Sequence, residues 1–284
     1  MNASEKSKAE LPIRGSLRPN YTISLVIAIL MVAAPSAGLL YQAEIYPSND
    51  LLHSFLPTDV SVLLIGLPML LGSMWLTWRG KLVGLLLWPG TLFFTLYNYL
   101  VYVFAMQPNL AFLLHLLLVM LSAYMLVALL TSIYSKPVRQ ALSGAVPERL
   151  SGGILAGLGF VFFVRATSIL INGLANPPTI SEIELASNSV DFLIAPAWIA
   201  GGLMLWRRRA FGYVAGLGLL FQASMLFIGL IIFLLLQPIV AGTALALIDI
   251  AVVLAMGLIC FIPFGLFMRG VVTGWSKTTP GFQE

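Results

Sequence analysis

Eight apolar runs, each near the length a helix needs to cross a bilayer, constrain this chain more than any other feature of it. They fall at about 21–41, 59–78, 82–105, 111–134, 151–173, 191–206, 210–236 and 244–268. A helix needs about 20 residues to cross the hydrocarbon core, so seven of the runs suffice alone and 191–206 borrows residues 188–190. Lipid offers no partner for an unpaired backbone amide, which leaves helices or a closed barrel. The runs lack the two-residue alternation of a barrel strand, so an all-α integral membrane protein with eight transmembrane helices is expected. Charged residues make up only 9% of the 284 positions, against about 25% in a soluble domain. The polar stretches between runs are too short for a separate soluble domain.

The charges set an orientation. Arg79 and Lys81, then Lys136, Arg139 and Arg149, then Arg207, Arg208 and Arg209, then Arg269 and Lys277 join Lys6, Lys8, Arg14 and Arg18 on one side. That arrangement places 14 of 15 basic residues on the cytoplasmic side, following the positive-inside rule, with both termini cytoplasmic. The opposite loops carry Glu44, Asp50, Asp59, Glu182, Glu184 and Asp191 and no basic residue. The positive net charge is thus explained by topology, and nucleic acid is excluded as a partner. A multi-pass protein of the cell (plasma or inner) membrane is expected, with the lipid bilayer as its solvent. Ala34-Pro35-Ser36-Ala37 could serve a signal peptidase, but the 21–41 run is longer than an ordinary h-region, which favours a retained span. A single cysteine, Cys260, permits neither an internal disulfide nor a cysteine-based metal site.

The basic turns Trp78-Arg79-Gly80-Lys81-Leu82-Val83-Gly84 and Trp206-Arg207-Arg208-Arg209-Ala210-Phe211-Gly212 lie 128 residues apart. At that offset 9 of the 33 positions from 61 to 93 are identical, among them Pro68 with Pro196 and Gly90 with Gly218. A tandem duplication follows: a first four-helix repeat at 21–134, a cytoplasmic linker at 135–150, and a second repeat at 151–268, between tails at 1–20 and 269–284. A four-helix unit begins and ends on one side, so the repeats are parallel and related by a pseudo-two-fold axis along the membrane normal. The first external loop of each repeat is 17 residues long, 42–58 and 174–190. Ser181-Glu182-Ile183-Glu184 reads as a capping box, with Ile180 and Leu185 as its staple. Ser48 precedes an apolar face of Leu51, Leu52, Phe55 and Leu56 that Pro57 is expected to end. Both loops are read as short helices lying flat on the outer surface. Gly153-x-x-x-Gly157 and Gly212-x-x-x-Gly216 are candidate sites of close helix approach.

Charge inside a span carries the functional reading, because insertion of a central Arg or Asp costs about 3 kcal/mol. Arg165 and Asp249 come out at nearly one depth, so they are expected to pair. Ser168 and Asn172 continue a polar stripe from Arg165, and Thr91, Thr95, Asn98 and Tyr102 form another at steps of four, three and four. His115 reaches the same level and Gln222 could be the floor. Together these predict a polar chamber in the outer half of the membrane, open or gated toward the exterior. Arg165 would receive an anionic or carbonyl group of a small polar ligand, and Asp249 or His115 could couple protons.

No hydrolase, metalloprotease or nucleotide-binding motif is present, which turns the reading from catalysis toward transport or binding. No cofactor is expected, and haem held by His53 and His115 is only formally possible. Two other classes compete: a structural or accessory subunit whose polar residues clamp helices, and a membrane enzyme or redox subunit binding haem, quinone or lipid.

Overall fold

The computed structural model describes residues 11–176, 180–242 and 244–278, the last three without their side chains. Lys6, Lys8, the Lys277 side chain and the tail beyond 278 lie outside the described residues. The described chain is helical apart from turns and one isolated antiparallel bridge, Ile13 to Ile133. Eight helical stretches are long and apolar enough to cross a membrane, and the protein is a polytopic membrane protein.

The helices are α1 (Arg18–Leu40), α2 (Gln42–Ile45), α3 (Asn49–Ser61), α4 (Leu67–Trp78), α5 (Leu82–Ala105), α6 (Leu110–Ser132), α7 (Ser135–Leu142), α8 (Glu148–Ala175), α9 (Glu182–Trp206), α10 (Ala210–Ala241) and α11 (Leu247–Thr278). A π turn, Val62–Gly66, joins α3 to α4 with helical backbone on both sides, so Asn49 to Trp78 is one continuous stretch of 30 residues. The flat-lying surface helices expected in the two long loops do not form as separate elements. Ser48 does cap α3, accepting from the Leu51 amide, and Ser181 caps α9, accepting from the Glu184 amide. In both cases the capped helix runs on into the next span. Pro57 sits inside α3 instead of ending it.

One end of the bundle is basic, with the Arg79-Gly80-Lys81 and Arg207-Arg208-Arg209 turns; the acidic end holds Glu44, Asp50, Glu182 and Glu184. At the basic end residues 11–14 strap α1 to the end of α6, through Arg14 N–H to Ser132 O (2.7 Å) and Tyr134 N–H to Pro12 O (2.8 Å). Amphipathic α7 packs against α10 and α11. Gly144 N–H and the Tyr213 hydroxyl both donate to Glu148 at the start of α8.

Helices α5 and α10 form the centre. Helix α5 is buried along most of its length and packs on α4, α6, α9 and α10. Lipid tails are as apolar as leucine, so association inside a bilayer rests on close packing and interhelical hydrogen bonds. Small residues supply the first. Gly90 of α5 meets Gly218 of α10 so closely that a Cβ on Gly90 would stand 2.7 Å from Gly218 O. Between α8 and α9 the close approach uses Gly152 and Gly159 on one side and Gly202 on the other. The expected Gly153 and Gly157 pair is one residue out of phase: Gly153 meets only the Trp206 ring and Gly157 meets nothing. Gly212 packs on the Leu205 backbone, and Gly216 meets Leu205 and Phe267. Two buried indoles supply hydrogen bonds, Trp88 Nε1–H to Ser24 Oγ (3.1 Å) and Trp198 Nε1–H to Gln222 Oε1 (2.6 Å). Bonds of this kind contribute about 0.6 kcal/mol each inside membranes, so their number and placement matter more than any one of them.

Candidate functional site

A cavity of about 270 Å³ opens where α3, α5, α9 and α10 converge. Its polar lining is Thr58 and Ser61 from α3, Tyr97, Asn98 and Tyr102 from α5, and Ser187 from α9. Phe55, Phe94, Met225, Leu226 and Phe233 supply apolar and aromatic walls. Tyr102 stands three residues from the end of α5, and Thr58 nine residues from the start of α3, which puts the cavity in the half of the bundle toward the acidic end. The π turn follows directly on Ser61, an irregularity often found beside functional sites.

A buried carboxylate stands behind each side of the cavity. Asp59, 1% exposed, accepts from the Tyr102 hydroxyl at 2.7 Å and from the Tyr46 hydroxyl at 2.5 Å. Burial, reinforced by the Asp59 charge, pushes the Tyr46 phenol far above its ordinary range, so it stays a donor. The second carboxylate, Asp191, accepts from the Tyr97 hydroxyl at 2.9 Å and pairs with Arg165 at 3.5 Å. Thus α5 contacts one carboxylate on each side, through residues five apart. The rings extend the first cluster: Phe55 stacks on Tyr102 at 4.1 Å, and His115 lies 4.6 Å from Tyr102 and 5.5 Å from Tyr99, centroid to centroid.

The expected pair of Arg165 with Asp249 does not form. Helix α11 starts at Leu247, so Asp249 is an exposed residue of its first turn, where the helix dipole favours a carboxylate. Asp191 takes the arginine because α9 begins at Glu182, which carries Asp191 nine residues into a span instead of leaving it in a loop. Arg165 itself is 55% exposed, and Ser168 and Asn172 are exposed with it. Their stripe lies on the outward face of α8 and takes no part in the cavity lining.

The α5 stripe divides. Asn98 and Tyr102 line the cavity. Thr91 and Thr95 are buried, donating to Trp88 O and Thr91 O of their own helix, and Thr95 also meets α1, with Met31 Sδ 3.5 Å from its hydroxyl. Seven residues along a helix return to nearly the same face about 10 Å further on, so a single stripe meets different neighbours at different heights. Gln222 is buried against Trp198, and its Nε2 has no partner in the described structure. Buried His115 also has an unpartnered Nδ1 and stands behind Tyr102, outside the lining. Among the described residues no group of three His, Cys, Asp or Glu side chains is placed to hold a metal.

Sequence reasoning missed Asp59, Asp191, Thr58, Ser61, Tyr97 and Ser187 as site residues by counting them with the loops or not at all. The signal was available: each cap, Ser48 and Ser181, starts a helix with no glycine before the next span. Searches for similar proteins return no matching family model, no curated protein and no solved structure.

Proposed function

We propose that the protein is a multi-pass transporter or binding protein of the cell membrane that accepts a small molecule in the cavity between α3, α5, α9 and α10. The observation that carries this reading is the cavity itself: six polar side chains from three helices converge on one space. In the positive-inside orientation the basic end is cytoplasmic, and the cavity then belongs to the outer half of the membrane. Its walls draw on α3 and α5 from residues 21–134 and on α9 and α10 from residues 151–268, so it occupies the seam between two tandem four-helix units. Contact of Gly90 with Gly218 supports that duplication, since equivalent residues meet one another only where a two-fold axis passes between them.

The test is ligand-dependent stabilisation. A ligand raises the melting temperature only through its affinity for the folded state. Amines, carboxylates, sugars and quinones are screened on the purified full chain, and each hit is repeated on Asn98→Leu and Tyr97→Phe. Hits that stabilise both variants as well as they do the parent would remove the cavity from consideration.

A second reading is favoured by one observation. The outward face of α8 carries Arg165, Ser168 and Asn172 beside exposed Phe160, Val161 and Val164, and polar groups facing lipid are ordinarily covered by protein. On that reading the chain is an accessory subunit whose α8 meets a partner helix. Isolation in a mild detergent as a single chain, with no other protein in stoichiometric amount, would count against it.

A further inference from the structure

Resting on the cavity reading above, we infer that the molecule it takes is an organic cation, an ammonium or guanidinium group carried on an apolar body. The argument is a count of hydrogens. Four of the six polar groups lining the cavity donate their only hydrogen elsewhere. The Thr58 hydroxyl donates to Ser54 O at 3.2 Å and the Ser61 hydroxyl to Pro57 O at 2.8 Å. The Tyr97 hydroxyl donates to Asp191 and the Tyr102 hydroxyl to Asp59. One N–H of the Asn98 amide donates to Phe94 O at 2.8 Å, which leaves its carbonyl oxygen unengaged as an acceptor. Each hydroxyl has a single hydrogen, so these four oxygens can only accept from a ligand. The donors that remain are one N–H of Asn98 and the Ser187 hydroxyl.

A wall of acceptors satisfies a group rich in N–H and leaves an anion's oxygens only those two donors. Electrostatics act in the same sense. Two carboxylates stand directly behind the tyrosines, and among the described residues the one cation paired with either is Arg165, on Asp191 and outside the lining. Phe94 and Phe233 add aromatic rings to the lining, and a cation is attracted to an aromatic face. Arg165 is outside the lining, so it cannot serve as the receiver of an anionic group there.

Cysteine accessibility separates this inference from the reading beneath it. In a Cys260→Ser background, Thr58→Cys and Ser187→Cys are reacted with the trimethylammonioethyl, sulfonatoethyl and methyl methanethiosulfonates. Each rate is normalised to that of the reagent with 2-mercaptoethanol. A cleft of one sign enriches the opposite ion by about tenfold or more, so the cationic reagent is expected to outpace the anionic one by about that factor at both positions. The ratio should fall in Asp191→Asn, and phenethylammonium should protect Ser187→Cys better than 2-phenylethanol or 3-phenylpropionate. Equal charged rates, a faster anionic reagent, reaction with the neutral reagent alone, or best protection by 3-phenylpropionate would each overturn the cation while leaving the cavity. If none of the three reagents reacts at either position, the cavity is closed to solutes and the functional reading falls with it.

Discussion

Asp59 and Asp191 occupy corresponding roles on the two sides of α5, each buried and each held by a tyrosine hydroxyl. A hydrogen bond to a charged group contributes about 1.5–3 kcal/mol. Tyr102→Phe should therefore lower stability by about that amount, and Tyr46→Phe by a similar one, measured by chemical unfolding of the purified protein in one detergent. The arginine offers a cleaner comparison. Residues in contact show coupling energies of about 0.5–3 kcal/mol, whereas distant ones add. A cycle of Arg165→Leu with Asp191→Leu should show such coupling, and the cycle of Arg165→Leu with Asp249→Leu should close to within error. Coupling in the second cycle and none in the first would contradict the ion pair described above. Sequence reasoning identified Arg165 as a paired intramembrane charge but chose the wrong partner. The choice between two carboxylates turned on where α9 and α11 begin.

Elements pack here through glycine, and the consequences differ sharply between positions. Gly90 and Gly218 bring the backbones of α5 and α10 together, so a side chain at either must push two central helices apart. Overpacking ordinarily costs about 1–3 kcal/mol, and Gly90→Leu should reach the upper end of that range or prevent folding. Gly157 is the control, because a Cβ there would find nothing within 4 Å. Gly157→Ala should be neutral or stabilise α8 by up to about 1 kcal/mol through helix propensity. Thermal melts of the two variants beside the parent decide the matter. The caps were legible in sequence because Ser48 and Ser181 act on the amide three residues ahead. The fate of the capped helices rested on a weaker signal, the absence of a glycine between each cap and the next span.

At the scale of the whole molecule, the proposed orientation and duplication make separate demands. Single cysteines at Ser48 and Glu184, in the Cys260→Ser background, should react with an impermeant maleimide in intact cells, and cysteines at Gly80 and Arg208 should not. Labelling of Gly80→Cys from outside would invert the topology. The duplication requires residues 21–134 and 151–268 to superpose by rotation about an axis near the membrane normal. An experimental structure in which the axis lies in the membrane plane would refute it.

Eight spans and their order followed from the chain alone, because apolar length is a property of consecutive residues and lipid leaves an unbroken apolar run no fold but the helix. The polar face of α5 also followed, at least at Asn98 and Tyr102, since helical period is local. Tertiary structure alone decided which polar groups meet. Thr95 went to α1, the Arg165 stripe went to the outside, and Asp59 and Asp191 came in from what read as loops. Each of those outcomes depends on the rotation of one helix against another. That rotation is set by which glycines allow backbones to touch, as at Gly90 and Gly218 and at Gly152 and Gly202, a contact between residues far apart in the chain.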